Sequence, residues 1–303
     1  MPAVENSEFH AEFPLRDYDL VTTLTSGQAF RWKQAADAQE GIIGNRWVRL
    51  QVCQDCLHVT TATPVEGWNW LTDYLQLGVD LPAVLASFPD DAPLRAATTA
   101  CPGLRLLCQD QWECLASFIL SSTKQIVQIQ QCVALLCENF GEVIAGLEGQ
   151  THFAFPTYQR LAAASEAELR ACKLGFRAKY LRGTAQMLVA REVELAALAQ
   201  QTTDDARAGL MRFPGVGRKI ADCVLLFAYG RQDAFPVDVW VLKALRTLYF
   251  PKRQPTSKRL MHFAATYFGP NAGYAQQYLF HYVRTQVPGM RTRRRQQRPR
   301  QAK

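Results

Sequence analysis

From about residue 101 onward, apolar residues recur every three or four positions along the chain, which is the period of an amphipathic helix. The pattern is clearest in Gln111–Ser122 and Ile126–Gly141, and Gly141 is a natural C-cap for the second segment. Ser165 followed by Glu168 predicts a capping box at the start of another helix. Further helices are predicted over about residues 178–200, 203–211, 218–229, 238–249, 256–267 and 272–285.

The first hundred residues follow a different pattern, with short strand-like segments between turns. Asn45–Val52 alternates apolar and polar residues, and Cys56–Thr63 is rich in β-branched residues, so both are predicted to pair in a small antiparallel sheet. Phe88–Pro93 is turn-rich and is a candidate linker. We therefore predict an α+β fold, mostly α, with these parts: a β-rich domain over 1–100, a helical domain over 101–290 and a basic tail over 291–303.

The composition is that of an ordinary globular protein, with 48% apolar and 20% charged residues in 303. The first residues lack the basic and apolar segments of a signal peptide, and no apolar stretch approaches the ~18 residues of a membrane span. Nine irregularly spaced cysteines favour a reducing compartment over a disulfide framework. We therefore expect an intracellular protein that does not bind membranes.

The net charge of +7 comes from the C-terminal end. Met290–Lys303 holds seven basic residues and no acidic ones, so the rest of the chain carries 27 of each sign. The charge is therefore weak evidence about what the folded part binds. The tail itself is either an arm that contacts DNA phosphates or a solvated chain end.

Phe213–Gly217, with the sequence FPGVG, predicts a tight reversal between two helices. Gly215 and Gly217 permit a close backbone approach, and the next helix would begin near Arg218 with its unpaired N–H groups exposed. Such a helix start attracts phosphate without reading bases, as in a helix–hairpin–helix that grips a DNA backbone. An ordinary helix–helix turn would have similar glycines.

Lys219, Cys223 and Phe227 are four residues apart and share one face of the predicted helix. The last two lie in an apolar segment, so Lys219 should point along a half-buried face, where the neutral, nucleophilic amine is favoured. A surface lysine whose stem covers apolar side chains would give the same pattern. Asp238 precedes an apolar helix and is predicted as its N-cap, with a carboxylate that could also face a reaction centre.

Together, FPGVGRKIADC and AFPVDVWVLKAL resemble the helix-hairpin-helix DNA glycosylases with a Gly/Pro-rich loop and a following aspartate, the HhH-GPD superfamily. Lys219 places the chain with the bifunctional members, which are both glycosylases and lyases. No cysteine follows Cys223, unlike in the iron–sulfur branch. Within the superfamily, four segments resemble the 8-oxoguanine DNA glycosylases: Ser26–Trp32, Glu113–Ser122, Lys173–Leu181 and Ala272–Phe280.

The resemblance implies base excision from duplex DNA that contains 8-oxoguanine, by a protein expected to act as a monomer. Lys219 would attack C1′ of the flipped nucleotide, Asp238 would stabilise the positive charge on the sugar, and the Schiff base would lead to β-elimination. No metal or redox cofactor is expected. Carbonyls of the hairpin, around Gly215 and Gly217, could hold a structural monovalent cation.

The resemblance also implies a base pocket. The carbonyl of Gly27 would accept the N7–H that distinguishes 8-oxoguanine from guanine, while Gln276 would bind the Watson–Crick edge. Cys223 and Phe280 would pack on the two faces of the base. Without the resemblance, a turn glycine, a surface glutamine and two core residues would explain the same positions.

Phe176 and Arg177 are the implied wedge that fills the space left by the flipped nucleotide. Three positions depart from the better-known eukaryotic pattern: Thr123 replaces an asparagine, Gln128 replaces an arginine that reads the opposite cytosine, and Trp240 replaces a histidine. The first two changes remove groups that read the orphaned base, so we expect relaxed discrimination of the opposite base.

Two alternatives remain: a lysine-bearing glycosylase for another oxidised base, and a noncatalytic DNA-binding module. An inward lysine paired with an aspartate disfavours the second. Cys53 and Cys56, near His58, lack the second ligand pair of a zinc site, so we predict a strand turn there.

Overall fold

The computed structural model describes residues 8–287. Its N-terminal part contains a five-stranded antiparallel sheet in the order β1-β5-β4-β3-β2. The predicted pairing of the last two strands is confirmed, with Leu50 opposite Val59. The strands are β1 (His10–Pro14), β2 (Lys33–Ala35), β3 (Ala38–Ile43), β4 (Arg46–Cys53) and β5 (Cys56–Thr61), and a separate hairpin pairs β6 (Val143–Ala145) with β7 (Thr151–Phe153).

Helices make up most of the remainder, so the predicted α+β, mostly α fold is confirmed. They are α1 (Leu20–Thr25), α2 (Asn69–Leu75), α3 (Leu81–Ala86), α4 (Ala92–Ala100), α5 (Gln111–Leu120), α6 (Ile126–Phe140), α7 (Tyr158–Ala163), α8 (Glu166–Leu169), α9 (Arg177–Val189), α10 (Leu195–Leu198), α11 (Thr203–Leu210), α12 (Arg218–Ala228), α13 (Val239–Tyr249), α14 (Ser257–Tyr267) and α15 (Ala272–Thr285).

Local signals place several helix ends correctly. Ser165 and Glu168 form the predicted capping box of α8, and Gly141 is the C-cap of α6. The helix predicted over residues 178–200 is wrong as a single element. It ends at Val189, and Arg191 adopts a left-handed φ of 56° before α10 begins. A helix cannot continue through that conformation.

Two large hydrophobic cores hold residues 8–287 together, and a small third cluster lies around Ala244 and Val283. The smaller core lies under the sheet and includes Phe13, Leu50 and Leu57, and the larger one fills the helical part. The two cores do not correspond to two consecutive parts of the sequence, because Phe30 packs in the larger core and Leu107 in the smaller one. Helices α3 and α4, on either side of the candidate linker, both contribute to the larger core.

Across residues 8–287, no helix is both long enough and apolar enough to span a bilayer. The predicted basic tail at 291–303 lies outside the described residues.

Asp91 joins α4 to the aromatic cluster between α13 and α14. Its carboxylate caps α4 at the Leu94 N–H over 2.8 Å and accepts hydrogen bonds from the hydroxyls of Tyr249 and Tyr267, at 3.1 and 2.9 Å. We expect Asp91→Ala to lower the free energy of unfolding by about 2–4 kcal/mol, because it removes a cap and two charge-assisted hydrogen bonds. Urea unfolding measures this loss.

Asp90→Ala is the matched control. Asp90 is exposed, and its one ion pair within residues 8–287 is with the exposed Arg95, so its loss should cost no more than about 1 kcal/mol. Equal effects of the two substitutions would contradict the role assigned to Asp91.

Candidate active site

A tight hairpin, Phe213–Gly217, joins α11 to α12 as predicted. Gly215 has a φ of +76°, and a Cβ there would lie 2.7 Å from the ring of Tyr180, so only glycine fits. Gly217 is the N-cap of α12, and no side chain caps this helix start. The first N–H groups of α12 are therefore available to an anion such as a phosphate.

Lys219 lies in the first turn of α12 and is half-buried. Cys223 and Phe227, on the same face, are 4% and 3% exposed, so the prediction that this face turns inward is confirmed. Lys219 Nζ donates to Ser121 Oγ over 3.2 Å and lies 5.3 Å from the centroid of the Phe118 ring. The amine is therefore held at one defined place beside α5.

Ser121 and Phe118 were not singled out as site residues from the sequence. The Ser121 hydroxyl donates to the carbonyl of Phe118 over 2.7 Å, which turns an oxygen lone pair toward Lys219. Both residues fall in the Glu113–Ser122 segment that carried the family resemblance, so that segment was the available signal.

Asp238 is the N-cap of α13, as predicted, and its Oδ1 accepts from the Val241 N–H over 2.8 Å. Among the described residues, no hydrogen bond occupies its second carboxylate oxygen.

The charges of Lys219 and Asp238 both act on the Cys223 thiol. Burial raises the pKa of Cys223 to about 11, the charge of Lys219 opposes this rise, and the charge of Asp238 adds to it. The charges of the hairpin lysine and of the capping aspartate therefore both act on one buried thiol, although no ion pair within residues 8–287 joins the two residues.

Gln276 and Phe280 share a face of α15, four residues apart. Gln276 is 4% exposed, and its side-chain carbonyl oxygen finds no hydrogen-bond partner within residues 8–287. A buried, unpaired acceptor is costly, so it indicates a ligand that donates a hydrogen bond.

Gly27 has a φ of +93°, and a Cβ there would lie 2.6 Å from the Ile126 side chain. The absence of a side chain is therefore required at Gly27.

A buried amide fixes the turn that contains Gly27. Gln28 is fully buried, and its Nε2 donates to the carbonyls of Thr23 and Arg105, at 2.9 and 2.8 Å. Its Oε1 accepts from the Leu107 N–H, and its main-chain carbonyl accepts from Gln109. The bonds with Arg105, Leu107 and Gln109 span 77 to 81 residues of sequence, so sequence patterns could not reveal them.

The predicted wedge residues differ in exposure. Phe176 is 48% exposed, whereas Arg177 is only 5% exposed. The Arg177 guanidinium lies 4.3 Å from the Phe176 ring and donates to the carbonyl of Ser122 and to Thr123 Oγ1. In this structure, Phe176 is the side chain presented to solvent, and Arg177 supports it from within. Whether Arg177 also contacts an orphaned base stays a prediction.

Two other departures from the family pattern have defined contacts. Gln128 is exposed at the start of α6, and its Oε1 accepts from the Gln125 N–H over 3.0 Å, which completes a capping box. Trp240 packs against Val283 near the end of α15, and Lys243 lies 5.9 Å from its ring.

An ion-pair network stabilises the start of α12 and was also missed from the sequence. Arg207 Nε donates to Asp222 Oδ1 over 2.5 Å, and both residues are buried. Burial raises the pKa of Asp222, and Arg207 opposes that rise. This ion pair links α11 to α12, the two helices that the hairpin joins.

Lys219 borders a cleft of about 510 Å³ that also touches Arg218, Phe235 and His262. A larger cleft of about 900 Å³ lies at the far end of α5, beside Trp112, and includes none of the predicted site residues. Of the predicted site residues, Lys219 alone lines the smaller cleft, so neither of these two clefts outlines the predicted base pocket. Cys53 and Cys56 are free thiols that flank the β4–β5 turn, and no cluster of metal-ligating side chains occurs within residues 8–287.

Two family models match consecutive parts of the chain. Residues 11–115 match the family model of the 8-oxoguanine DNA glycosylase N-terminal domain, and residues 116–270 match that of the HhH-GPD superfamily base excision DNA repair proteins.

Curated relatives match over most of this chain. It is 31% identical to the N-glycosylase/DNA lyase OGG1 of Arabidopsis thaliana, over 88% of this chain and 79% of the relative. It is 35% identical to the N-glycosylase/DNA lyase of Saccharomyces cerevisiae, over 69% and 65%.

A solved structure also superimposes along nearly the whole length. The Clostridium acetobutylicum 8-oxoguanine glycosylase/lyase, bound to double-stranded DNA with cytosine opposite 8-oxoguanine, has a TM-score of 0.87 and 30% identity, covering 92% of this chain and 97% of its own. The chain therefore belongs to the 8-oxoguanine DNA glycosylase family of the HhH-GPD superfamily.

Proposed function

We propose that this protein flips 8-oxoguanine out of duplex DNA, excises it and then cleaves the strand at the resulting abasic site. One observation carries the proposal. The amine of Lys219 is held by Ser121 and Phe118 on the helix face that also carries Cys223, in the first turn after the hairpin, and the charge of Asp238 acts on the same thiol. A protein that only binds DNA has no need of a half-buried lysine whose amine is held in one place in this way.

The reaction uses these two residues in turn. The amine of Lys219 attacks C1′ as the bond to the base breaks, and the base leaves with the bonding electron pair and gains a proton. The carboxylate of Asp238 stabilises the positive charge on the sugar. The attached amine then opens the sugar to a Schiff base, loss of a C2′ proton expels the 3′ phosphate, and hydrolysis frees the enzyme.

Recognition depends on groups around the flipped base. The Gly27 carbonyl accepts the N7–H that guanine lacks, and the unpaired acceptor of Gln276 takes N–H groups of the Watson–Crick edge. Phe280 and Cys223 would enclose the two ring faces. Outside this pocket, the exposed Phe176 fills the gap in the base stack, and the hairpin with Gly215 and Gly217 binds the backbone.

The proposed chemistry requires no metal or redox cofactor, because Lys219 itself supplies the nucleophile. A monovalent cation at the hairpin carbonyls remains a structural prediction, as does a monomeric state. An intracellular location is part of the proposal, since the substrate is DNA.

Lys219→Gln should abolish both strand cleavage and the covalent adduct that borohydride traps with 8-oxoguanine DNA, because the Schiff base needs the amine. Gel electrophoresis after reduction measures the adduct. Lys252→Gln, at an exposed lysine, is the control and should react like the wild type. An adduct that persists in Lys219→Gln would exclude Lys219 as the nucleophile. Wild-type adduct with an oxidised pyrimidine, but none with 8-oxoguanine, would favour the alternative substrate.

Asp238→Asn should lower single-turnover excision by about 10²–10³-fold, since it removes a charge aimed at the reacting sugar. DNA affinity and stability should be retained, because asparagine caps a helix as well as aspartate does. Asp80→Asn, at the N-cap of α3, is the matched control. Unchanged excision by Asp238→Asn would refute the role of this carboxylate.

Excision should depend only weakly on the base opposite the lesion, because the Thr123 hydroxyl and the Gln128 amide oxygen already accept hydrogen bonds from other residues of the protein. We expect the excision rate to vary less than about tenfold across the four opposite bases. A bidentate contact with a base discriminates by about tenfold or more, and that discrimination is lost with the contact. Single-turnover rates on four duplexes measure this. A cytosine preference well beyond that range would contradict the prediction.

A further inference from the structure

Arg284 lies in the last turn of α15 and continues the face that carries Gln276 and Phe280. These three residues are four apart, so their side chains line one edge of the helix. The edge of α15 that carries the two proposed base-binding residues therefore ends in the positive charge of Arg284.

The Arg284 guanidinium contacts two walls of the proposed base pocket. It lies 4.9 Å from the centroid of the Phe280 ring, and Nη1 donates to the Ser26 carbonyl over 3.5 Å. The same nitrogen is 3.6 Å from the position that a Cβ on Gly27 would occupy. The charge is thus placed next to Gly27, whose carbonyl would recognise N7–H, and near the ring on which the base would stack.

The charge of Arg284 has little compensation inside the protein. No carboxylate of residues 8–287 forms an ion pair with it, and the long bond to Ser26 is its one hydrogen bond there. Burial lowers the pKa of Arg284, and the more distant charge of Asp238 opposes this. Since a guanidinium has five N–H donors, most of them are free for a ligand. A partly buried cation with free donors favours an anionic or carbonyl-rich partner.

We propose that Arg284 is a further catalytic residue, which stabilises the negative charge that develops on the departing base; this rests on the proposed function. When the bond from C1′ breaks, its electron pair moves onto the base and spreads to the carbonyl oxygens on either side of N7–H. Fixed donors beside Gly27 would face that edge. A fixed positive charge aimed at developing negative charge lowers the barrier without reorganisation.

Two other roles for Arg284 make different predictions. A cation in the last turn of a helix stabilises the helix dipole, which would affect unfolding but not excision. A contact with a DNA phosphate would affect binding whether or not a base is present. A substrate that lacks the base separates these roles from the proposed one.

The test compares Arg284→Met, Arg284→Lys and the wild type on two duplexes, one with 8-oxoguanine and one with a preformed abasic site. Methionine keeps an apolar stem against Phe280 but removes the charge, and lysine keeps the charge. We expect Arg284→Met to excise 8-oxoguanine about 10–100-fold more slowly under single turnover, somewhat less than the loss of a fully buried oxyanion donor. Cleavage of the abasic duplex, and affinity for it, should be unchanged, and Arg284→Lys should recover part of the excision rate.

Each other outcome overturns the inference. Parallel losses on both duplexes would indicate a phosphate contact or a folding defect, and unchanged or faster excision would indicate that the charge has no part in base departure. Arg284→Gln provides a second neutral variant if the methionine variant is unstable, and Arg95→Met, at an exposed arginine, is the control. A wild-type protein inactive on both duplexes would refute the proposed function instead.

Discussion

The packing of α12 against α5 is the constraint on which the active site depends. Phe118 of α5 stacks on Phe227 of α12 with ring centroids 5.6 Å apart and an interplanar angle of 15°. The same Phe118 ring lies beside the Lys219 amine, and Ser121 at the end of α5 holds that amine by a hydrogen bond. The packing of this helix pair in the core therefore also fixes the amine of Lys219, the proposed nucleophile. A shift of one helix along the other would remove both contacts from Lys219.

A second packing contact joins the two elements that would grip DNA. A Cβ on Gly215 in the hairpin would clash with Tyr180 at 2.7 Å, and Tyr180 makes an edge-to-face contact with Phe176 at 6.1 Å. The hairpin and Phe176 are thus in contact through one aromatic side chain. Because close-packed side chains transmit displacement, the proposed binding of DNA at the hairpin would also act on Phe176, the proposed wedge.

Local sequence signals predicted the parts of the site that lie on one helix or at one helix end. The inward face of Lys219 and Cys223 follows from four-residue spacing, and the cap at Asp238 follows from its place before an apolar segment. Contacts between distant segments could not be predicted in this way. The Lys219–Ser121 bond spans 98 residues, and the bonds of Gln28 join the N-terminal part to the segment that precedes α5. Such contacts depend on how elements pack, which no periodicity encodes.

The turn at Thr123 illustrates how one replacement changes both backbone and chemistry. Thr123 has a φ of +58°, a conformation that asparagine tolerates and a β-branched residue resists. The family pattern places asparagine there, whereas here the guanidinium of Arg177 donates to Thr123 Oγ1 and to the Ser122 carbonyl. The two hydrogen bonds from the buried Arg177 therefore stabilise a backbone conformation that is less favourable for threonine than for asparagine. An arginine bound to this turn has fewer donors left for an orphaned base, which supports the proposal that excision depends only weakly on the opposite base.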